Sequence, residues 1–320
     1  MRIDDCTPEV LRYKPGSRCT VRYRVAYGTG PSGPATIVAK TYRGDKGRNA
    51  YVGMAALGRA RIPAETVDLA EPLAYRPDLN VLLQGPVEEE ETLKELVRRA
   101  CASGSPVEWE RLRDEVAKAA DGLAAVHTCG IEHGNLVTWE DELAEVRELA
   151  ARLAGPIPEL ADAAAPYLAA LADLARDHPA DRPGPAHRSF RPAQVLLAGG
   201  RIAFIDFDGL CTAEPAIDVA MFRASLRGAG AGAVRGRDPS AVRARLAALD
   251  EVCDQFLARY QSAHPISLPR VALWEGLYLL TLVLHCWTKI KPARLAIRMA
   301  MLERHIASTH QLLTSGVAAG

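Results

Sequence analysis

The chain has 320 residues, 48% of them hydrophobic, which is enough apolar content for one large core or for two lobes. Its 39 basic and 39 acidic residues cancel, so bulk charge makes no case for nucleic acid and weakens the case for a polycationic substrate. Seven cysteines, an odd number without a C-x-x-C pair, point to reduced thiols rather than disulfides or zinc.

The opening MRIDDCTPEV is acidic and has no apolar centre, so it is not read as a secretory signal. Glu9–Tyr13, Cys19–Tyr27 and Thr36–Tyr42 are rich in Val, Ile, Thr and Tyr. Separated by Lys14-Pro15-Gly16-Ser17 and by the loop Gly28 to Pro34, they are expected to form three antiparallel strands. Lys46–Arg59, preceded by Asp45, is a helix candidate. Leu73–Tyr75 and Asn80–Gln84 make two more strands around Arg76-Pro77-Asp78, and Leu83-Gln84-Gly85-Pro86-Val87 then leaves the sheet. The four acids Glu88 to Glu91 read as the charged first turn of a helix, which the helix dipole favours.

From there the period becomes helical, with apolar stripes along Thr92–Ala102 and Trp109–His127 that Cys129-Gly130 ends. His133-Gly134-Asn135 leads only into another amphipathic helix, Trp139–Leu153, and reads as loop. Thr138 and Asp141 resemble a capping box loosely, with Asp in place of Glu or Gln. Pro156–Asp177 is an Ala-rich helix. His187 to Asp218 is different in kind: a polar loop (His187–Gln194), a strand (Val195–Ala198), a Gly199-Gly200 turn and a strand (Ile202–Ile205) ending in Asp206-Phe207-Asp208. Apolar runs either side of Gly-Gly predict a hairpin. Its first loop then lies beside the carboxylates that close its second strand. Gly228 to Gly236 lacks an apolar period and reads as surface loop. Helices are expected over Ser240–Tyr260, Pro269–Trp287 and Ala293–Leu313, with His264, His285, His305 and His310 at no metal-ligand spacing. The longest apolar run, Leu277–Leu284, falls short of the roughly 20 residues a bilayer requires. A cytoplasmic protein with no membrane or nucleic-acid partner is expected.

The loop and hairpin resemble the catalytic segment of the aminoglycoside-phosphotransferase-like branch of the protein-kinase-like superfamily, which carries H-x-D-x-x-x-x-N, a hairpin, and then Asp-Phe. His187 and Asp206 match; Ser189 stands at the catalytic Asp and Gln194 at the metal-binding Asn. Glu214-Pro215-Ala216-Ile217-Asp218 matches D-P-A-x-D-L, in which Asp218 would prop the loop. Ile37-Val38-Ala39-Lys40 is similar to V-A-I-K, which makes Lys40 the phosphate-pairing lysine. No Glu on the following helix would orient that lysine, leaving Glu65 or no partner. By the same resemblance the turn at Gly16 would cover phosphates, and the stretch from Gln84 to Val87 would hold the base as a hinge. Asp206 and Gln194 would bind Mg²⁺. Asp208 stands where the family more often has Gly; two residues on in an extended chain it would face the same side as Asp206, to bind a second metal or stand in as a base. Ser189 and Arg191 would complete the catalytic set, with Arg188 either an anion contact or a solvated side chain.

The expected fold is α+β and bilobal, protein-kinase-like: an antiparallel-sheet lobe with one helix over 1–87, and a mainly helical lobe over 88–320 that holds the hairpin 187–208. Two functions fit. One is phosphorylation of a small-molecule or peptide hydroxyl from ATP or GTP with Mg²⁺. The other is a pseudokinase, with Ser189 in place of the catalytic acid, that binds nucleotide or peptide for a partner enzyme.

Overall fold

The protein is seen in a computed structural model that describes residues 2–28, 33–44, 46–60, 62–63, 65–233 and 239–314. The β-branched and aromatic N-terminal third forms strands β1 (Ile3–Lys14), β2 (Arg18–Tyr27), β3 (Thr36–Thr41), β4 (Pro72–Arg76) and β5 (Val81–Gln84). They build one antiparallel sheet in the order β1-β2-β3-β5-β4. β1 begins six residues earlier than its composition suggests, because β2 offers partners along its whole length, from Lys14 opposite Arg18 to Ile3 opposite Tyr27. β1 is the sheet's exposed edge, and two register shifts blunt it. Helix α1 (Lys46–Arg59), at the bounds expected, buries Ala50, Met54 and Leu57. Asp45 and part of the loop before β3 lie outside the described residues.

The larger lobe carries helices α2 (Leu93–Ser103), α3 (Pro106–Thr128), α4 (Trp139–Ala151), α5 (Pro158–Asp177), α6 (Ala216–Ala233), α7 (Pro239–Ala263), α8 (Leu268–Thr288) and α9 (Leu295–Thr314). Small strands β6 (Gly184–Ala186), β7 (Val195–Ala198), β8 (Arg201–Phe204) and β9 (Cys211–Ala213) sit among them. Three expectations change. Glu88 to Glu91 is extended rather than helical. Glu91-Thr92 pairs with β7, and the helix starts only after Thr92, whose hydroxyl and Glu95 form a two-way capping box. The charges neutralise neighbours instead of a dipole: Glu91 meets Arg99 and Arg111, and Glu88 meets Arg201. Thr138 and Asp141 form a complete capping box, because the shorter Asp still reaches the Thr138 amide at 2.9 Å. Gly228 to Ala233 continues α6, whose buried face includes Ala229 and Gly230; a Cβ on Gly230 would strike Leu249 and Cys101. Residues 234–236 of that expected loop lie outside the described residues. Helix α8 is by itself long and apolar enough to cross a membrane, and 67% of its apolar window is buried inside the fold.

The core runs through α2, α3, α6, α7 and α8 up to the hairpin. All five phenylalanines of the chain are buried here. Phe204 on β8 packs edge-on to Phe190 at 4.7 Å, Phe190 stacks on Phe222 at 5.1 Å, and Phe222 stacks on Phe256 at 4.2 Å. Phe207 lies 4.7 Å from the His187 ring. This aromatic column ties the hairpin and its loop to the helices behind them.

Candidate active site

Gly199 and Gly200 take φ of 55° and 76°, a turn backbone that L side chains resist, and they hold Val195 to Ala198 against Arg201 to Phe204 in strict antiparallel register. Where β8 ends, Asp206 adopts φ 75°, a left-handed conformation that Asp tolerates better than most residues. Residues 207–209 then form one 3₁₀ turn. Asp206 and Asp208 therefore face the same space because of this kink, and not because they are alternate residues of an extended strand.

Both carboxylates converge on one guanidinium. Arg18 Nη1 lies 3.1 Å and 3.3 Å from the two oxygens of Asp206 and 3.4 Å from Asp208 Oδ2. Lys40, only 8% exposed at the middle of the sheet, reaches Asp206 Oδ1 at 3.5 Å. The lysine's partner is thus Asp206, and neither Glu65 nor a helix glutamate takes that place. Tyr42, two residues on and so on the same face of the chain as Lys40, donates to Asp208 Oδ1 at 2.7 Å. From α1, Asn49 donates to the carbonyls of Asp208 and Leu210. Burial opposes ionisation of Asp206, but Lys40 and Arg18 outweigh it and hold the carboxyl below the usual range. Asp208 is pushed up by burial and then by the Asp206 charge beside it. One acid is held ionised and its neighbour is held nearer to protonation.

Three carboxylate oxygens around one positive nitrogen form a donor set that suits a hard divalent cation, with Arg18 standing in for it. Among the described residues no third His, Cys, Asp or Glu completes a metal cluster, so further ligands would be phosphate oxygens, water or an amide. The expected amide, Gln194, is buried, and its Oε1 faces Arg191 Nε at 3.4 Å.

The loop itself is braced from below. The His187 amide donates to Asp218 Oδ2 at 2.6 Å, and Asp218 is fully buried beside His127, which meets the Tyr260 hydroxyl at 2.6 Å. His187 Nε2 lies 3.0 Å from the Ile205 carbonyl, which can only accept, so Nε2 carries the proton. Nδ1 is then the acceptor for the Ser189 hydroxyl at 3.1 Å. Arg191 is steered by the Ser189 carbonyl at 3.2 Å. Arg188 is neither solvated nor free for an anion: half-buried at φ 56°, it pairs with Glu142 and Glu145.

At the other end of the sheet Gln84 is buried and its Oε1 has no hydrogen-bond partner, directly before Gly85. Val87 is half-buried against the core, and Gly16 turns at φ 67° above Arg18. Sequence reasoning missed Arg18, Tyr42 and Asn49. A signal existed for the first two. Arg18 is the first strand residue under the Gly16 turn, and Tyr42 follows Lys40 at the period of a strand.

The sequence model described as "phosphotransferase enzyme family" matches residues 103–251. No curated protein sequence matches the chain. Solved structures do match. A choline/ethanolamine kinase family protein from Mesorhizobium loti aligns over 98% of this chain and 93% of its own at 12% identity and a TM-score of 0.63. Likeness of this kind shows the fold, which is bilobal and protein-kinase-like. A glucosamine kinase in complex with glucosamine, ADP and inorganic phosphate aligns over 84% of this chain and 72% of its own, at 20% identity and a TM-score of 0.62. An aminoglycoside phosphotransferase mutant in a ternary complex with ADP and hygromycin B aligns over 96% and 94%, at 14% identity and a TM-score of 0.62. The antiparallel sheet over a helical lobe is the architecture that this chain shares with them.

Proposed function

We propose that the protein transfers the terminal phosphoryl group of ATP or GTP to a hydroxyl group, with a divalent cation held by Asp206 and Asp208. The observation that carries this reading is the carboxylate pair closed around Arg18, with Lys40 on the same acid. Opposed charges packed this tightly in a cleft are a phosphate-and-metal site in waiting: each anionic oxygen brought by a nucleotide has a cation to meet, and a metal has two carboxylates. When bound, Mg²⁺ neutralises charge on the phosphoryl oxygens. The orphaned Gln84 oxygen and the backbone from Gln84 to Val87 offer polar groups to a purine edge. Residues 1–87 form the covering lobe and residues 88–320 the lobe that carries the reaction.

Ser189 lacks a carboxylate's capacity to hold a proton. Its hydroxyl already donates to His187 Nδ1, so a proton leaving the acceptor hydroxyl passes to Ser189 Oγ while the Ser189 proton passes to His187. The acceptor oxygen–phosphorus bond forms as the bond to the nucleoside diphosphate breaks, and the proton ends on the imidazole. Arg191, whose Nε donates to the Ser189 carbonyl, is the cation this reading assigns to the transferring phosphoryl group.

A second reading, a nucleotide-binding module that transfers nothing, is favoured by the same Ser189 and by Gln194, whose oxygen is engaged by Arg191. The two part in one assay. Phosphate release or transfer from [γ-³²P]ATP with Mg²⁺ is lost in Asp206→Ala if the protein is an enzyme. Turnover untouched by that change refutes the metal role. A nucleotide-induced thermal shift without any turnover establishes the module.

A further inference from the structure

Each carboxylate at the end of the hairpin has one oxygen held by another side chain. Asp206 Oδ1 is shared with Lys40, and Asp208 Oδ1 accepts from Tyr42. Among the described residues the other two oxygens, Asp206 Oδ2 and Asp208 Oδ2, meet only Arg18 Nη1, at 3.3 Å and 3.4 Å. All three contacts of Arg18 with these acids come from that single nitrogen. An arginine held tightly by a carboxylate presents its fork, two parallel N–H groups at ~2.7–2.9 Å. Arg18 instead sits end-on between two acids, a contact that exchanges readily.

The other side of Arg18 is open. Its main chain is fixed: the Ser17 amide donates to the Lys14 carbonyl at 3.1 Å, Lys14 pairs with Arg18 across the turn, and the Cys19 amide donates to the Thr41 hydroxyl at 2.8 Å. Its side chain is 24% exposed and borders a cavity of about 550 Å³ between the Gly16 turn and Asp208. Arg12, Lys14, Arg43 and Lys46 line the same cavity, with Asp208 as its one acid. That much like charge around one space suits a polyanion and repels a free cation. Arg18 therefore stands between two sets of anions: the carboxylates it covers, and any phosphate oxygens that enter the cavity.

We propose that Arg18 is a nucleotide-binding residue that changes partners: it covers Asp206 and Asp208 in the free protein and moves onto the polyphosphate when a divalent cation takes those oxygens. This rests on the phosphotransferase reading and goes beyond it, because one side chain makes the two ligands depend on each other. Arg18 cannot leave the acids for a cavity of cations without an anion to meet there, so binding of metal alone is opposed. It cannot turn to phosphate without leaving two acids bare, so binding of metal-free nucleotide is opposed as well. Metal and polyphosphate together satisfy every charge, and the site takes up the pair in preference to either one.

The test is a binding cycle on the full chain, read without turnover. Binding of Mn²⁺ is followed by the EPR signal of the free ion, alone and with saturating ADP, in the wild type and in Arg18→Met, which keeps an unbranched stem and removes the charge. Chelation of the ion by free ADP is common to both proteins and cancels in the comparison. Arg18→Met is expected to bind Mn²⁺ alone about tenfold tighter than the wild type. The factor by which ADP tightens Mn²⁺ is expected to fall by about tenfold, an ordinary size for coupled sites. Arg18→Gln, neutral and polar, repeats the measurement should Arg18→Met fail to melt cooperatively. Mn²⁺ affinity unchanged or weaker in the variant, or an ADP factor equal in the two proteins, overturns the inference. A wild type and variant that bind neither the ion nor ADP overturn the reading beneath it as well, and the two failures are separately visible.

Discussion

Arg18→Ala is the most informative single change, because it removes the side chain that stands in for a metal. In the wild type the guanidinium lies 3.1–3.4 Å from three carboxylate oxygens, and its side chain is 24% exposed against 16% and 20% for the two acids. A charge pair at such range is worth about 4 kcal/mol at an effective dielectric of 20, and desolvation of the ions offsets much of it. A net loss of about 2 kcal/mol is expected, lowering Tm by roughly 3 °C without divalent ions. The loss should depend on pH with a definite sign. Asp208 already has a raised folded-state pKa, so its protonated form suits the fold and its stabilising effect fades as pH rises through that value. Removing Arg18 raises Asp208 further, so the variant loses more at pH 8 than at pH 5. Without the guanidinium the two acids become available to a cation. Differential scanning fluorimetry with 0 and 10 mM MgCl₂ should show a larger Mg²⁺-dependent shift in the variant than in the wild type. An equal or smaller shift would show that these oxygens do not accept a divalent ion, and would remove the basis of the metal assignment.

Ser189→Asp should raise phosphoryl transfer by about 10²–10⁴, since it supplies a carboxylate where a hydroxyl now relays the proton; steady-state rates without an increase would count against Ser189 as the proton acceptor. Glu275, 3% exposed between Arg223 and Arg227, is moved up by burial but carried down to about 2 by the two arginines. Glu275→Gln leaves both cations without their common anion and should cost about 3–5 kcal/mol in urea unfolding at pH 7. That difference should shrink as pH falls from about 4.5 toward 2, because a depressed carboxylate loses its stabilising effect there. Gly53→Ala would bring a Cβ within 2.5 Å of Leu210 and 2.8 Å of His133, pushing α1 off the residues after the hairpin. A loss of about 1–3 kcal/mol is expected, with weakened nucleotide binding because Asn49 on α1 holds Asp208.

What the sequence determined by itself was local and periodic. Strand composition, helical stripes and the Gly-Gly punctuation placed β2 to β5, the hairpin and α1 close to their bounds, because backbone preference and amphipathic period are written residue by residue. His187, Asp206 and Lys40 were singled out by the resemblance of their segments, and the structure brings Lys40 within 3.5 Å of Asp206. The caps at Thr92 and Thr138 were also written locally, as S/T-x-x-acid, and were passed over or discounted. Only the tertiary structure decided which charges meet. Arg18 and Asp206 are 188 residues apart, and a balanced total charge hides the place where two acids, an arginine and a lysine converge. Electrostatic energy depends on distance through space, and no window along a chain measures that distance.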